Sequence, residues 1–155
     1  MQELIKASAT EIRDLLKARR VTPNELLDAL EERIADVNPA VNATPTLCFD
    51  RARQYAGQAN LSDLPLAGLP IAIKDLMAVS GVRTTFGSRA FEHHVPEVSD
   101  LLIDRLEAAG GVVYCKTNTP EFGAGANTFN DVFGYTRNPW DTRLSAAGSS
   151  GGSAV

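Results

Sequence analysis

Two short apolar runs separated by one helical stretch constrain this chain more than any other feature. Ile71-Ala72-Ile73 and Val112-Val113-Tyr114-Cys115 are rich in β-branched residues and read as strands. Between them Leu101, Leu102, Ile103 and Leu106 form a helical stripe, with Ser99 as the expected cap and Gly110-Gly111 as its close. Strand, helix, strand makes a crossover unit, so the two strands pair in parallel. The predicted class is α/β, with a parallel sheet preceded by a helical arm.

The arm covers residues 1–60. Ser8-Ala9-Thr10-Glu11 has capping-box spacing, and Ile12, Leu15 and Leu16 follow on one face. Thr22 caps a second helix with Pro23 at its first position and Glu25 three on. Leu26, Leu27, Leu30, Ile34 and Val37 form its stripe, and Asn38-Pro39 is its expected end. A third helix is expected from Asp50 to Ala59, with Arg51, Arg53 and Gln54 outward. Residues 61–155 are the first part of the α/β core. From Thr117 onward periodicity fades and Gly, Asn, Thr and Pro dominate. A loop region this long generally builds a site. The closing Ser149-Ser150-Gly151-Gly152-Ser153-Ala154-Val155 reads as a loop entering an apolar helix, as expected of a piece of a longer protein.

Composition removes several classes. At 155 residues the chain suits one domain, and 44% apolar with 22% charged residues speaks against wholesale disorder. A net charge of −4 supplies no basic face for nucleic acid. No apolar run approaches the roughly 18 residues of a membrane span, and Met1-Gln2-Glu3-Leu4-Ile5-Lys6 lacks a signal-peptide layout. Cys48 and Cys115 form no CxxC pair and read as small buried side chains, which makes a reducing cytoplasm the expected compartment.

Lys74 directly follows the first strand, at the end where parallel sheets gather their sites. A free lysine titrates near ~10.4, and burial lowers that value enough to make a general base. The plainer readings are that Lys74 reaches out to solvent or pairs with Asp75. Gly148-Ser149-Ser150-Gly151-Gly152-Ser153 suits a tight backbone presenting hydroxyls, or else a flexible linker. Gly148 to Gly152 also fits GxSxG with Ser150 as nucleophile, but residues 138–147 read as no strand, so an esterase elbow is not supported. No Gly-Lys-Ser/Thr phosphate loop is present. His93 and His94 lack metal-ligand spacing. Asp75 and Glu121 are candidate paired carboxylates, and Phe129 and Trp140 read as packing residues.

Together these residues resemble the amidase signature family, over nearly the whole chain. Gly68-Leu69-Pro70-Ile71-Ala72-Ile73-Lys74-Asp75 is similar to the family's lysine strand, and Thr84-Thr85-Phe86-Gly87-Ser88 to the loop after it. Gly111 through Phe122, Phe133-Gly134, Thr136 through Asp141, and Gly148 through Ser153 resemble the blocks that lead into the signature itself. The resemblance implies a mixed, largely parallel sheet flanked by helices, and a catalytic Ser, a second Ser after a cis peptide bond, and a Lys. Lys74 matches the lysine and Ser149 the cis serine, which also meets substrate, while the Gly123 carbonyl matches a position lining the amide. The attacking serine and oxyanion glycines fall past Val155, and Ala146-Ala147 departs from the family's usual residues there. The implied activity is hydrolysis of a carboxamide C–N bond through an acyl-enzyme, without metal or cofactor. The A subunit of a tRNA-dependent amidotransferase, with glutaminase chemistry, and a non-catalytic scaffold stay open as alternatives. The expected partners are a small amide substrate, and a second copy or the remaining C-terminal part. No membrane or direct nucleic-acid partner is expected.

Overall fold

The computed structural model describes residues 4–57 and 60–155. Helix α1 spans Ala9–Lys17 and α2 Pro23–Val41, each opened by a complete capping box. Glu11 Oε2 accepts from Ser8 N at 2.7 Å, and Glu25 Oε2 accepts from Thr22 N at 2.8 Å. Contrary to expectation, α2 runs through Asn38-Pro39. Pro39 gives up one helical hydrogen bond, but Asn42 adopts a left-handed φ of 52° and its N–H donates to the Asn38 carbonyl at 2.7 Å. Asn38 Oδ1 also accepts from Ala43 N and Thr44 N, so this end is satisfied beyond the proline.

Strand β1, Thr46–Leu47, lies inside the expected helical arm and pairs with the sheet. Helix α3 is Phe49–Ala56 and ends earlier than expected, at the C-cap Gly57; positions 58 and 59 lie outside the described residues. Arg51 does not point outward as expected. It ion-pairs with Glu107 at 2.6 Å and is half-buried there.

Strand β2 spans Pro70–Lys74, α4 Leu101–Ala108 and β3 Val112–Thr117. The sheet order is β1-β3-β2, with β2 and β3 parallel and β1 antiparallel. Val112 and Val113 point to opposite faces, as successive strand residues must, and both are fully buried. Val112 packs with Leu27, Phe49, Ala52 and Leu61; Val113 packs with Ile73, Val79, Val82 and Ile103. The sheet is therefore covered on both faces, and residues before and after position 60 share the core around Val112.

Asp100, not Ser99, stands at the N-cap of α4. Both side chains are taken by the preceding loop: Asp100 Oδ2 accepts from Ala78 N at 2.8 Å and Ser99 Oγ from Ser80 N at 2.9 Å. Of the expected stripe Ile103 is buried and Leu106 half-buried, whereas Leu101 and Leu102 face out. After β3 come two small antiparallel pairs, β4 (Phe129–Asn130) with β5 (Gly134–Tyr135) and β6 (Arg137–Asn138) with β7 (Asp141–Ser145). Trp140, expected to pack, is 94% exposed at the β6–β7 turn, and Phe129 is partly exposed, stacked on Tyr135. Short helix α5, Gly151–Ala154, ends the order. Among the described residues no helix is long and apolar enough to cross a membrane.

Candidate active site

Lys74 ends β2, opposite Thr117 in the parallel ladder. Side chains at that end of a parallel pair project into the space that the last loop fills. The fill is the 148–153 run, and its glycines explain why it fits. Gly152 N–H donates to the Asn118 carbonyl at 3.3 Å, and a Cβ there would lie 2.6 Å from the Ala43 carbonyl oxygen. Gly151 N–H donates to Thr128 Oγ1 at 2.9 Å, and a side chain would strike that threonine. The run is thus seated between two backbone segments and does not behave as a linker.

The Gly148–Ser149 peptide bond is cis. Lys74 Nζ donates to Ser149 Oγ at 2.9 Å and to Ser150 Oγ at 3.0 Å. Lys74 is half-buried, where burial of its amine at the strand end was expected. Burial nonetheless pushes Lys74 below the ordinary lysine value. Ser149 is held from behind, where Thr119 Oγ1 donates to its carbonyl at 3.5 Å. Thr117 Oγ1 and Ser153 Oγ lie 2.6 Å apart and fasten α5 to the end of β3.

Asp75 takes no part in this fork. It turns to the other side of β2, 3.2 Å from the ammonium of Lys116, and accepts from Thr85 Oγ1 at 2.6 Å. Glu121 is exposed and does not share a site with it, so the two are not paired carboxylates. Lys116 was not singled out in the sequence. The signal was a lysine inside the run Val112–Thr117, in a strand covered on both faces, where a charge needs a partner.

Gly123 lies in the turn Glu121–Gly123 after β3, with φ 73° and its α-carbon against Leu76. The neighbouring open cleft of about 450 Å³ is lined by Arg89, Glu121, Gly125, Asn127, Phe129 and Asp131, but by neither Lys74 nor Ser149. The cleft is therefore separate from the lysine–serine fork. His93 and His94 are exposed, His94 stacking on Phe86. Among the described residues no three His, Cys, Asp or Glu side chains gather as a metal site. Burial pushes the Cys48 thiol up to about 11 and the Cys115 thiol up to about 12, which suppresses their thiolates.

A strand Asp141–Ser145 does precede the Gly148–Gly152 segment, contrary to the sequence reading, and α5 begins within that segment at Gly151. That strand belongs to an exposed hairpin with β6 and not to the parallel sheet, so an esterase elbow is still not formed.

The family model described as Amidase matches residues 25–155. The A chain of a glutamyl-tRNA(Gln) amidotransferase from Halothermothrix orenii is 41% identical over 153 residues, which is 99% of this chain and 32% of that protein. A bacterial aryl acylamidase of the amidase signature enzymes superposes with a TM-score of 0.86 at 32% identity, over 96% of this chain and 32% of that one. A 6-aminohexanoate cyclic dimer hydrolase gives 0.85 at 32% identity, over 95% and 30%. The chain spans about a third of the length of the curated relatives it matches.

Proposed function

The chain belongs to the amidase signature family, and from that premise we propose that it carries the base and the proton relay of an amide hydrolase. The single observation behind this reading is the 2.9 Å hydrogen bond between Lys74 Nζ and Ser149 Oγ at the end of a parallel strand. Neutral Lys74 accepts the proton of Ser149. Ser149 accepts the proton of an attacking serine, which adds to the amide carbonyl. The tetrahedral centre collapses as the relay runs backwards and protonates the leaving ammonia or amine. Water, activated by the same pair, then adds to the acyl ester and frees the carboxylate. No metal or cofactor enters any step.

In this reading the attacking serine and the oxyanion donors come from the complete gene product beyond Val155, and the Gly123 carbonyl borders the bound amide. The substrate is a small carboxamide met in the cytoplasm, and the protein works as a homodimer or with the rest of its own chain. The test is incubation of the complete gene product with small aliphatic and aromatic amides. Ammonia or amine release together with an acyl-enzyme mass increment supports the reading; release without any covalent adduct, even on rapid quenching, counts against it.

A second reading rests on the names of the relatives, which at 37–41% identity include several glutamyl-tRNA(Gln) amidotransferase chains of the same kind. There the same relay would liberate ammonia from glutamine for a partner protein. Copurification with such a partner, and glutaminase activity that depends on it, separates the two readings.

A further inference from the structure

The residue after Lys74 anchors a second, buried network. Asp75 and Lys116 are both fully buried. The Asp75 carboxylate lies 3.2 Å from Lys116 Nζ and accepts from Thr85 N at 3.1 Å and Thr85 Oγ1 at 2.6 Å. Lys116 Nζ also donates to the Met77 carbonyl and to Thr84 Oγ1, each at 2.7 Å. The ammonium thus has two hydrogen-bond acceptors beside the carboxylate it pairs with.

The connections continue toward the candidate site in two directions. Asp75 N–H donates to the Thr117 carbonyl at 3.0 Å, which carries the parallel ladder one residue past Lys74. On the other side Thr85 Oγ1 accepts from Gly87 N at 3.0 Å. Gly87 lies against the backbone of Glu121, where a Cβ would be 3.1 Å from its α-carbon. Phe122 N–H donates to the Phe86 carbonyl at 2.7 Å. The pair is thus joined to the strand end that carries Lys74 and to the turn that carries Gly123.

We propose that Lys116 and Asp75 are positioning residues for the lysine–serine fork, holding Lys74 toward Ser149 and the Gly123 turn at a fixed distance from both. This rests on the reading of Lys74 as base. Buried ion pairs add little net stability over neutral residues of similar shape, so a role in geometry accounts for this one better than a role in stability. Lys116 and Asp75 exert their effect through Lys74 and the turn, and touch no reacting atom themselves.

The test uses the complete gene product with Asp75→Asn and Lys116→Met combined, which removes both charges together. The expected protein unfolds cooperatively, keeps KM within about threefold, and loses ~10- to 100-fold in kcat, the cost of a misplacement near one ångström. The remote, half-buried pair serves as control: Arg51→Met with Glu107→Gln should lower Tm and leave kcat alone. A folded Asp75→Asn/Lys116→Met protein with wild-type kcat overturns the proposal, as does an equal loss of kcat in the control. If the charge-free variant does not fold, Thr85→Val and Thr85→Ser decide. Loss of kcat in the valine variant with recovery in the serine variant supports the proposal, and unchanged kcat in both overturns it. Lys74→Ala, assayed alongside, separates two failures. Activity in that variant removes the base reading itself, whereas a dead Lys74→Ala beside an unimpaired charge-free variant removes only the positioning role.

Discussion

Gly152→Ala tests whether the glycine run is seated as tightly as the fork requires. The new Cβ would lie 2.6 Å from the Ala43 carbonyl oxygen and 2.8 Å from the Asn118 carbonyl oxygen. Both are backbone atoms, and the Asn118 and Ala43 segments are themselves joined by a 2.9 Å hydrogen bond. Neither can rotate aside as a flexible side chain does. The nearest atom is the Asn118 backbone nitrogen at 2.3 Å, so restoring an ordinary contact of 3.4 Å requires α5 to retreat by about 1.1 Å. If the 148–153 run moves as a body, the 2.9 Å bond from Lys74 to Ser149 stretches to about 4.0 Å, beyond hydrogen-bond range. Overpacking of this kind destabilises by ~1–3 kcal/mol, and loss of the aligned relay lowers kcat by ~10- to 100-fold. The assays are ammonia release under saturating amide and urea unfolding of the complete gene product. A variant with wild-type kcat and an unchanged urea midpoint would refute the argument that backbone contact positions Ser149.

Three further outcomes follow from the same geometry. Ser149→Ala should lose several orders of magnitude in kcat and Ser150→Ala much less, although Lys74 reaches both hydroxyls; the reverse order in steady-state kinetics would favour Ser150 as nucleophile. Burial lowers the Lys74 pKa by disfavouring the cation, so kcat should rise with pH up to an apparent pKa below the ordinary ~10.4 and then level off. A pH–kcat profile that falls over that range would contradict a neutral-lysine base. Residues 1–155 expressed alone should release no measurable ammonia, since oxyanion donors alone contribute ~10²–10³ in rate; turnover that Ser149→Ala abolishes would show an attacking group within these residues.

The parallel pair was legible because β-branched runs flank a helical stripe, and Lys74 was legible because it stands where such a strand must end. Both capping boxes were legible for a similar reason, since their partners are three residues apart. What escaped depends on contacts between distant segments. Strand β1 has two residues, too few to display alternation, and exists because β3 offers it an edge. Ser99 has the residue type of a cap, but the turn at Ala78–Ser80 claims both it and Asp100. The Lys116–Asp75 pair joins positions far apart in the chain, and a lysine in a strand ordinarily reads as solvent-facing. Pro39 marked a helix end that three later backbone N–H groups, held by Asn38, moved on by a few residues.

The most direct measurement is single-turnover amide cleavage by the complete gene product carrying Lys74→Ala, with folding verified by circular dichroism. The account predicts that acyl-enzyme formation falls by several orders of magnitude while substrate binding is nearly unchanged, because Lys74 is the amine hydrogen-bonded to Ser149 Oγ. Acylation within about tenfold of wild type would contradict it, since a general base contributes ~10²–10⁴ in rate and could not then be this lysine.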